Sequence, residues 1–203
     1  MKVALIGPTG NVGSRLLAEL LRSGHEVTGI ARHPEGLPSQ PHLTVKRGDA
    51  NEEHGLAELL RGHDAVISAG RFVSVNPRAL IAAVRKAGVQ RLLVVGGAGS
   101  LEVAPGAQLL DTPDFPAAYK PEALAGRDFL HVLRDKQELQ WTFLSPSAIF
   151  GPGERTGAFR LGTDQLLIGD AGESRISMED FAIALVDEIE TPRHNRQRFT
   201  VGY

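Results

Sequence analysis

The chain has 203 residues, and its 42% apolar and 23% charged composition is that of a globular protein, which excludes disordered, collagen-like and coiled-coil architectures. With 22 Lys plus Arg against 24 Asp plus Glu the formal charge is −2, so there is no concentrated basic field to draw in nucleic acid or a membrane surface, and neither is expected as a partner. No cysteine is present, which removes disulfides, thiol nucleophiles and thiolate metal sites.

The seven histidines show no His-x-His or His-xxx-His spacing, and no metal is expected. At the N-terminus the apolar run Val3 to Ile6 is broken by Gly7, Pro8, Gly10 and Asn11, too early for a signal peptide. No stretch approaches the roughly 20 apolar residues of a membrane span. The expected location is cytoplasmic.

Taken in chain order, short β-branched runs alternate with helix-period segments, the pattern of a parallel sheet built from βαβ units. The runs Val3–Ile6, Glu26–Ile30, Leu43–Lys46, Ala65–Ala69, Arg91–Val95 and Thr142–Ser145 read as strands, most of them apolar on both faces as strands covered on each side should be. Val12–Arg22 carries Val12, Leu16, Leu17, Leu20 and Leu21 on one helical stripe. Glu52 and Glu53 read as acids in the first turn of a helix. Asn76-Pro77 caps a helix over Pro77–Ala87, and Pro121 precedes one expected from about Glu122 to Leu139. Between Gly96 and Pro121 lies a long stretch rich in Gly, Pro and Asp, expected over the carboxyl edge of the sheet as either an active-site loop or a partly mobile segment. Phe159–Leu161 and Leu166–Ile168, flanking Gly162-Thr163-Asp164, predict a hairpin. Ser177-Met178-Glu179-Asp180 opens a helix that ends near Glu190, and Arg198 to Val201 predicts a last strand. The fold class is α/β, a doubly wound parallel sheet with a small C-terminal lobe. One domain is expected over 1–203, with a dinucleotide-binding core over 1–150 and the lobe over 151–203.

The most informative residues stand between the first strand and the first helix: Gly7-Pro8-Thr9-Gly10-Asn11-Val12-Gly13. Glycines there permit a tight turn and a close approach of backbone to a pyrophosphate, while the helix N-terminus offers free N–H groups and the positive end of its dipole. The spacing is GxxGxxG instead of the usual GxGxxG. The second strand leads into Ile30-Ala31-Arg32-His33-Pro34, with no acid before Glu35. An acidic residue at that point would hold the 2′-hydroxyl of NAD, whereas Arg32 suits the 2′-phosphate, so NADP(H) is expected in preference to NAD(H).

These motifs, together with Arg47-Gly48-Asp49-Ala50, Ile67-Ser68-Ala69-Gly70, Gly96-Gly97-Ala98-Gly99-Ser100, Trp141 to Pro146 and Gly151-Pro152-Gly153, make the chain similar to atypical members of the short-chain dehydrogenase/reductase superfamily, near the NmrA-like and NAD(P)H-flavin reductase-like proteins. The resemblance implies a Rossmann domain in which Asp49 and Ala50 lie beside the adenine and Ser68, Ala69 and Gly70 along the ribose side. It places Ser145, Pro146 and the residues to Ala148 near the nicotinamide, and has the C-terminal lobe help cover the substrate.

The sequence departs from this superfamily at one telling place. Active dehydrogenases and epimerases pair a Tyr with a Lys four residues on, so that the ammonium lowers the phenol's pKa. Here Tyr119 falls in the right region, but Ala123 stands four residues later; Lys120 is adjacent in sequence. Hydride transfer to a flavin-like or quinone-like acceptor needs less acid/base help, because stacking positions the rings and solvent supplies the proton. The leading expectation is an NAD(P)H-dependent reductase with a small-molecule acceptor, free flavin being a candidate substrate. The second is a non-enzymatic NADP(H) sensor of the NmrA-like kind, which would need a protein partner. A third is an epimerase-like or dehydratase-like enzyme in which Tyr119 or Ser100 acts with an unorthodox partner.

Overall fold

A computed structural model describes residues 1–203. The first half of the chain gives β1 (Lys2–Ile6), α1 (Asn11–Arg22), β2 (Glu26–Ala31), β3 (Leu43–Arg47), α2 (Glu53–Leu60), β4 (Ala65–Ser68), α3 (Pro77–Lys86) and β5 (Arg91–Val95). Then come β6 (Glu102–Ala104), β7 (Ala107–Gln108), α4 (Lys120–Arg134), β8 (Gln140–Pro146), β9 (Ile149–Gly151), β10 (Arg160–Gly162), β11 (Arg175–Ser177), α5 (Met178–Glu190) and β12 (Gln197–Gly202). The main sheet has the order β10-β12-β8-β5-β4-β1-β2-β3, parallel throughout except for β10, which runs antiparallel to β12 at the edge. This is a doubly wound Rossmann-like α/β fold.

The two-sided apolar strands explain the layers. In β1, Val3 and Leu5 join a core shared with α1 and α5, while Ala4 and Ile6 join the opposite core, shared with α2, α3 and α4. Successive side chains of a strand point to opposite faces, so a run without polar residues needs cover on both. The order reverses between β1 and β4, whose neighbours lie on opposite sides, and that reversal opens a crevice at the carboxyl ends of the two strands.

Two local expectations fail for physical reasons. Leu161 pairs across the sheet with Val201, and Leu166 donates its N–H to the carbonyl of Glu102, so the segments around Gly162 do not form a hairpin with each other. The apolar residues that suggested one are drawn to partners far along the chain. The fourth helix starts at Lys120 and stops at Arg134, with Asp135 as its C-cap. Leu139 is buried at the start of β8 and belongs to the strand's side of the core.

Residues 151–203 are built into the main sheet. Through them β12 lies beside β8 and α5 packs against α1. No helix is long and apolar enough to cross a membrane.

Candidate active site

At the crevice the chain leaves β1 through Gly7, whose φ of 84° is open to glycine but disfavoured for other residues. The N–H of Gly7 bonds the carbonyl of Ile30 at 2.9 Å, and the N–H of Gly10 turns back onto the carbonyl of Gly7 at 3.2 Å. Gly13 sits so close under this turn that a Cβ there would lie 1.9 Å from the oxygen of Gly7. A Cβ on Gly10 would meet nothing nearer than that same oxygen at 3.5 Å, leaving its outer side open. Gly10 is the N-cap of α1, with no side chain capping the helix and no acid in its first turn. Asn11, Val12 and Gly13 therefore begin a helix whose N-terminal N–H groups await an anion. The three glycines have separate duties: a left-handed turn, an open face, and close helix-to-strand packing.

Beside this turn lies a cleft of about 210 Å³, lined among others by Thr9, Arg32, Asp49, Ala50, Gly70 and Arg71. Arg32 is exposed at the end of β2 and its guanidinium has no partner within the protein. Glu35, the nearest acid along the sequence, is held by Arg47. A backbone hydrogen bond in its own turn and then Arg47 keep its carboxyl below the usual range. Asp49 accepts the N–H of Asn51 at 2.9 Å. Asn51 in turn donates to the carbonyl of Ser74 at 2.9 Å and accepts the N–H of Asn76 at 2.7 Å, tying the two loops that face each other across the cleft. Ser68, at the end of β4, is 2% exposed, and Ala69 donates its N–H to the carbonyl of Ile6.

A second cavity, of about 190 Å³, opens farther along the carboxyl edge, where Phe72, Gly97, Ser100, Tyr119, Glu122 and Arg127 are among its lining residues. Its aromatic wall is fixed from behind. The ring of Phe72 meets Phe129 edge-on at 5.5 Å and stacks on Phe143 at 5.8 Å. Small residues make the room: a Cβ on Gly126 would come within 2.9 Å of the Phe72 ring, and one on Gly99 within 2.7 Å of the Cβ of Ala123. Glu122 accepts the N–H groups of Phe72 at 2.7 Å and Val73 at 3.2 Å, fastening α4 to the segment that follows β4.

Tyr119 ends a single 3-10 turn before α4 and is 66% exposed at the rim. Lys120 is the first residue of the helix, and the cavity lining contains no lysine. Ser100 is buried, and its hydroxyl oxygen lies 3.4 Å from a guanidinium nitrogen of Arg198. Ser145 and Pro146, at the end of β8, are buried beneath the surface, and the Ser145 hydroxyl has no hydrogen-bond partner. Neither residue lines the two cavities at this edge, so reaching the Ser145 hydroxyl would require the cover above it to move.

Glu122, Arg127 and Arg198 escaped the sequence reading. For the first two a signal existed: Glu122, Ala123, Gly126 and Arg127 share a helical face at spacings that put two small residues where an apolar stripe would be expected. A larger cavity of about 460 Å³ lies at the amino ends of β1, β2 and β3, lined by Lys2, Glu26 and His63 among others. Ligands of open α/β sheets gather at the opposite edge, so size does not decide here.

Comparison with known proteins identifies the family. The profile of the NAD(P)H-binding family matches residues 7–192. YwnB, an uncharacterised protein of Bacillus subtilis, is 41% identical over 211 aligned positions that cover 99% of this chain and 98% of the relative. A solved structure from Bacteroides thetaiotaomicron, provisionally named an epimerase, is 44% identical with a TM-score of 0.95, covering 100% of this chain and 96% of the other. Another from Streptococcus pneumoniae, provisionally named an NADH-flavin reductase, is 37% identical with a TM-score of 0.87, covering 100% and 99%.

Proposed function

The chain belongs to the NAD(P)H-binding family, and on that premise we propose that it is a reductase that takes hydride from NADPH and delivers it to a flavin-like or quinone-like acceptor seated against Phe72. The observation that carries the reading is the pairing of an open phosphate cradle with a cavity built from small residues and an aromatic wall, whose lining includes Tyr119 and no lysine.

Bound NADPH supplies a hydride, that is, a proton with two electrons. Everything else falls to the chain. The N–H groups following Gly10, over Asn11, Val12 and Gly13, hold the pyrophosphate, with Gly7 and Thr9 shaping the turn. Asp49 and Ala50 would flank the adenine, and Arg32, which lines the same cleft, would meet the 2′-phosphate. Ser68, Ala69 and Gly70 would run along the ribose, and Ser145 and Pro146 would lie toward the nicotinamide. Phe72 offers a flat face to the acceptor ring, Ser100 donates a hydrogen bond to it, and Tyr119 screens the rim.

Of the two provisional names among the relatives, the reductase suits this site better, because an epimerase must move protons with a tuned acid/base and Ala123 stands four residues after Tyr119 where the superfamily pattern has lysine. The relative's name specifies NADH; the free guanidinium of Arg32 is the feature of this chain that favours NADPH. The test is anaerobic mixing of the protein with NADPH and FMN or a soluble quinone, with NADH and protein-free controls, following loss of the reduced nicotinamide absorbance. Protein-dependent oxidation is expected. Binding without turnover, established by cofactor fluorescence in the same sample, would overturn the reductase and leave a redox sensor that needs a protein partner.

A further inference from the structure

We propose that Arg198, buried on β12, is a positioning residue that sets the Ser100 hydroxyl as a hydrogen-bond donor toward the acceptor, an inference that rests on the reductase reading above. On β12, Phe199 and Val201 enter the core shared with α1 and α5, so Arg198 and Thr200 point to the opposite face, beneath the cavity lined by Ser100. In register Arg198 stands beside Phe143, the residue on which Phe72 stacks. Its side chain is only 4% exposed. A guanidinium so deeply buried is costly unless it is paired, and an aliphatic residue would fill the place without that cost.

The pairing shows what Arg198 is for. Its Nε donates to Asp164 at 2.7 Å, and its Nη2 grips the same carboxylate oxygen. Nη1 turns the other way, to the carbonyl of Ser100 at 3.3 Å and the hydroxyl at 3.4 Å. A guanidinium only donates, so a lone pair of Ser100 Oγ is taken and its proton is left without an acceptor inside the protein. A cation on the lone-pair side also polarises the O–H bond and strengthens it as a donor. Asp164 is itself anchored, its carbonyl accepting the N–H of Glu102 at 2.8 Å.

In the proposed reaction the acceptor would gain a hydride from C4 of the reduced nicotinamide. The electron pair displaced within the acceptor settles on a ring oxygen or nitrogen, which water then protonates. Ser100 keeps its proton and donates a hydrogen bond to that atom while the charge grows. The sum is NADPH plus acceptor plus a proton giving NADP⁺ plus dihydro-acceptor.

The experiment compares Ser100→Ala, Arg198→Met and the double variant with the parent protein in two assays. In turnover with NADPH and FMN, Ser100→Ala is expected to lower kcat about 100-fold, in line with the loss of one preorganised donor. Arg198→Met should lower it roughly 10-fold alone and add nothing to Ser100→Ala, since coupled groups are non-additive. In the second assay, calorimetric affinities of the NADP⁺ complex for a series of substituted phenolates are plotted against phenol pKa. The slope should flatten in every variant. If Arg198→Met costs the same with and without the Ser100 hydroxyl, or if the slope is unchanged, the proposal is wrong. Should Arg198→Met not fold, Asp164→Asn loosens the same guanidinium from its half-exposed side and must flatten the slope. A parent protein that oxidises no NADPH but shows the sloped, Arg198-dependent affinity would sink the reductase reading and leave the donor standing.

Discussion

The end of the site proposed for the cofactor is centred on a backbone turn, with side chains such as Arg32 and Asp49 at its edge, and the end proposed for the acceptor is made of side chains from several segments. Around Gly7, Gly10 and Gly13 the ligand-facing groups are N–H groups at a helix start, and what matters is where side chains are missing. Around Phe72, Ser100 and Arg127 the surface comes from the loops after β4 and β5 and from α4, held together by Glu122 and by the Arg198–Asp164 pair. The first kind of site is specified within seven consecutive residues. The second exists only once distant segments have met, so a substitution in the cradle should damage fold or cofactor binding, and one in the cavity only the acceptor.

The sharpest way to break this contrast is at Gly13 and Gly10. Gly13→Ala puts a methyl 1.9 Å from a backbone oxygen that cannot move without parting α1 from β1. We expect a loss of about 3 kcal/mol in unfolding free energy, as for severe overpacking. Gly10→Ala meets nothing closer than 3.5 Å. It should cost less than about 1 kcal/mol in stability, the scale of an N-cap change, yet weaken NADPH in a fluorescence titration by about 10-fold, because the methyl occupies the side from which the pyrophosphate approaches. Equal stability losses at the two glycines would show that they share one duty.

The same contrast explains what was legible in the sequence. The strands at Val3 and over Arg91–Val95 are visible because two-sided apolar runs announce themselves, those near Glu26 and Leu43 because Val27, Ile30, Leu43 and Val45 keep a β-branched or apolar pattern between turns, and the cradle because its motif is local. The strand at Arg198–Val201 was visible too, but its alternation of Arg198 and Thr200 with Phe199 and Val201 reads as one wet face and one dry. In the fold both faces are buried, because the long excursion after β5 comes down over the polar one. Burial of that kind depends on contacts nearly 100 positions apart in the chain, as between Ser100 and Arg198, and no local pattern encodes it. The hairpin expected around Gly162 failed likewise: Leu161 and Leu166 found their partners at Val201 and Glu102.

Arg32→Ser sharpens the comparison from the cofactor side. A charge-assisted hydrogen bond to the 2′-phosphate contributes about 1.5–3 kcal/mol, so NADPH affinity should fall by roughly 10- to 100-fold while NADH affinity stays unchanged. Similar losses for both would place Arg32 away from the ribose. On the acceptor side, Gly126→Ala pushes a methyl to within 2.9 Å of the Phe72 ring, a side chain that can yield only by tilting off Phe143. Acceptor KM should rise by roughly 10-fold, the scale of one methyl misplaced in an apolar pocket, with the dissociation constant of NADPH unmoved.

The smallest effect is expected at Asp180, which ties the segment following Gly153 to the start of α5. Burial pushes its carboxyl up, but hydrogen bonds from the Thr156 hydroxyl, the N–H groups of Gly157 and Thr156, and the Tyr203 hydroxyl outweigh that and hold it below the usual range. A carboxyl lowered in the folded state stabilises the fold at every pH above its unfolded value of about 4 and loses that contribution as pH falls through the lower folded value. Glu179 follows the same sign: burial raises it, but Arg15 and the N–H of Gly153 bring it lower still. Asp180→Asn keeps one acceptor oxygen for the backbone N–H groups, so at pH 7 it should cost about 1 kcal/mol. Below pH 4 its stability should decline less steeply than the parent's, and the two unfolding curves converge. NADPH affinity at pH 7 should not change, since the cradle draws on other residues. Parallel acid limbs would mean that the Asp180 charge is not what holds this segment down, and a fall in NADPH affinity would mean that the cradle is less self-contained than its seven residues suggest.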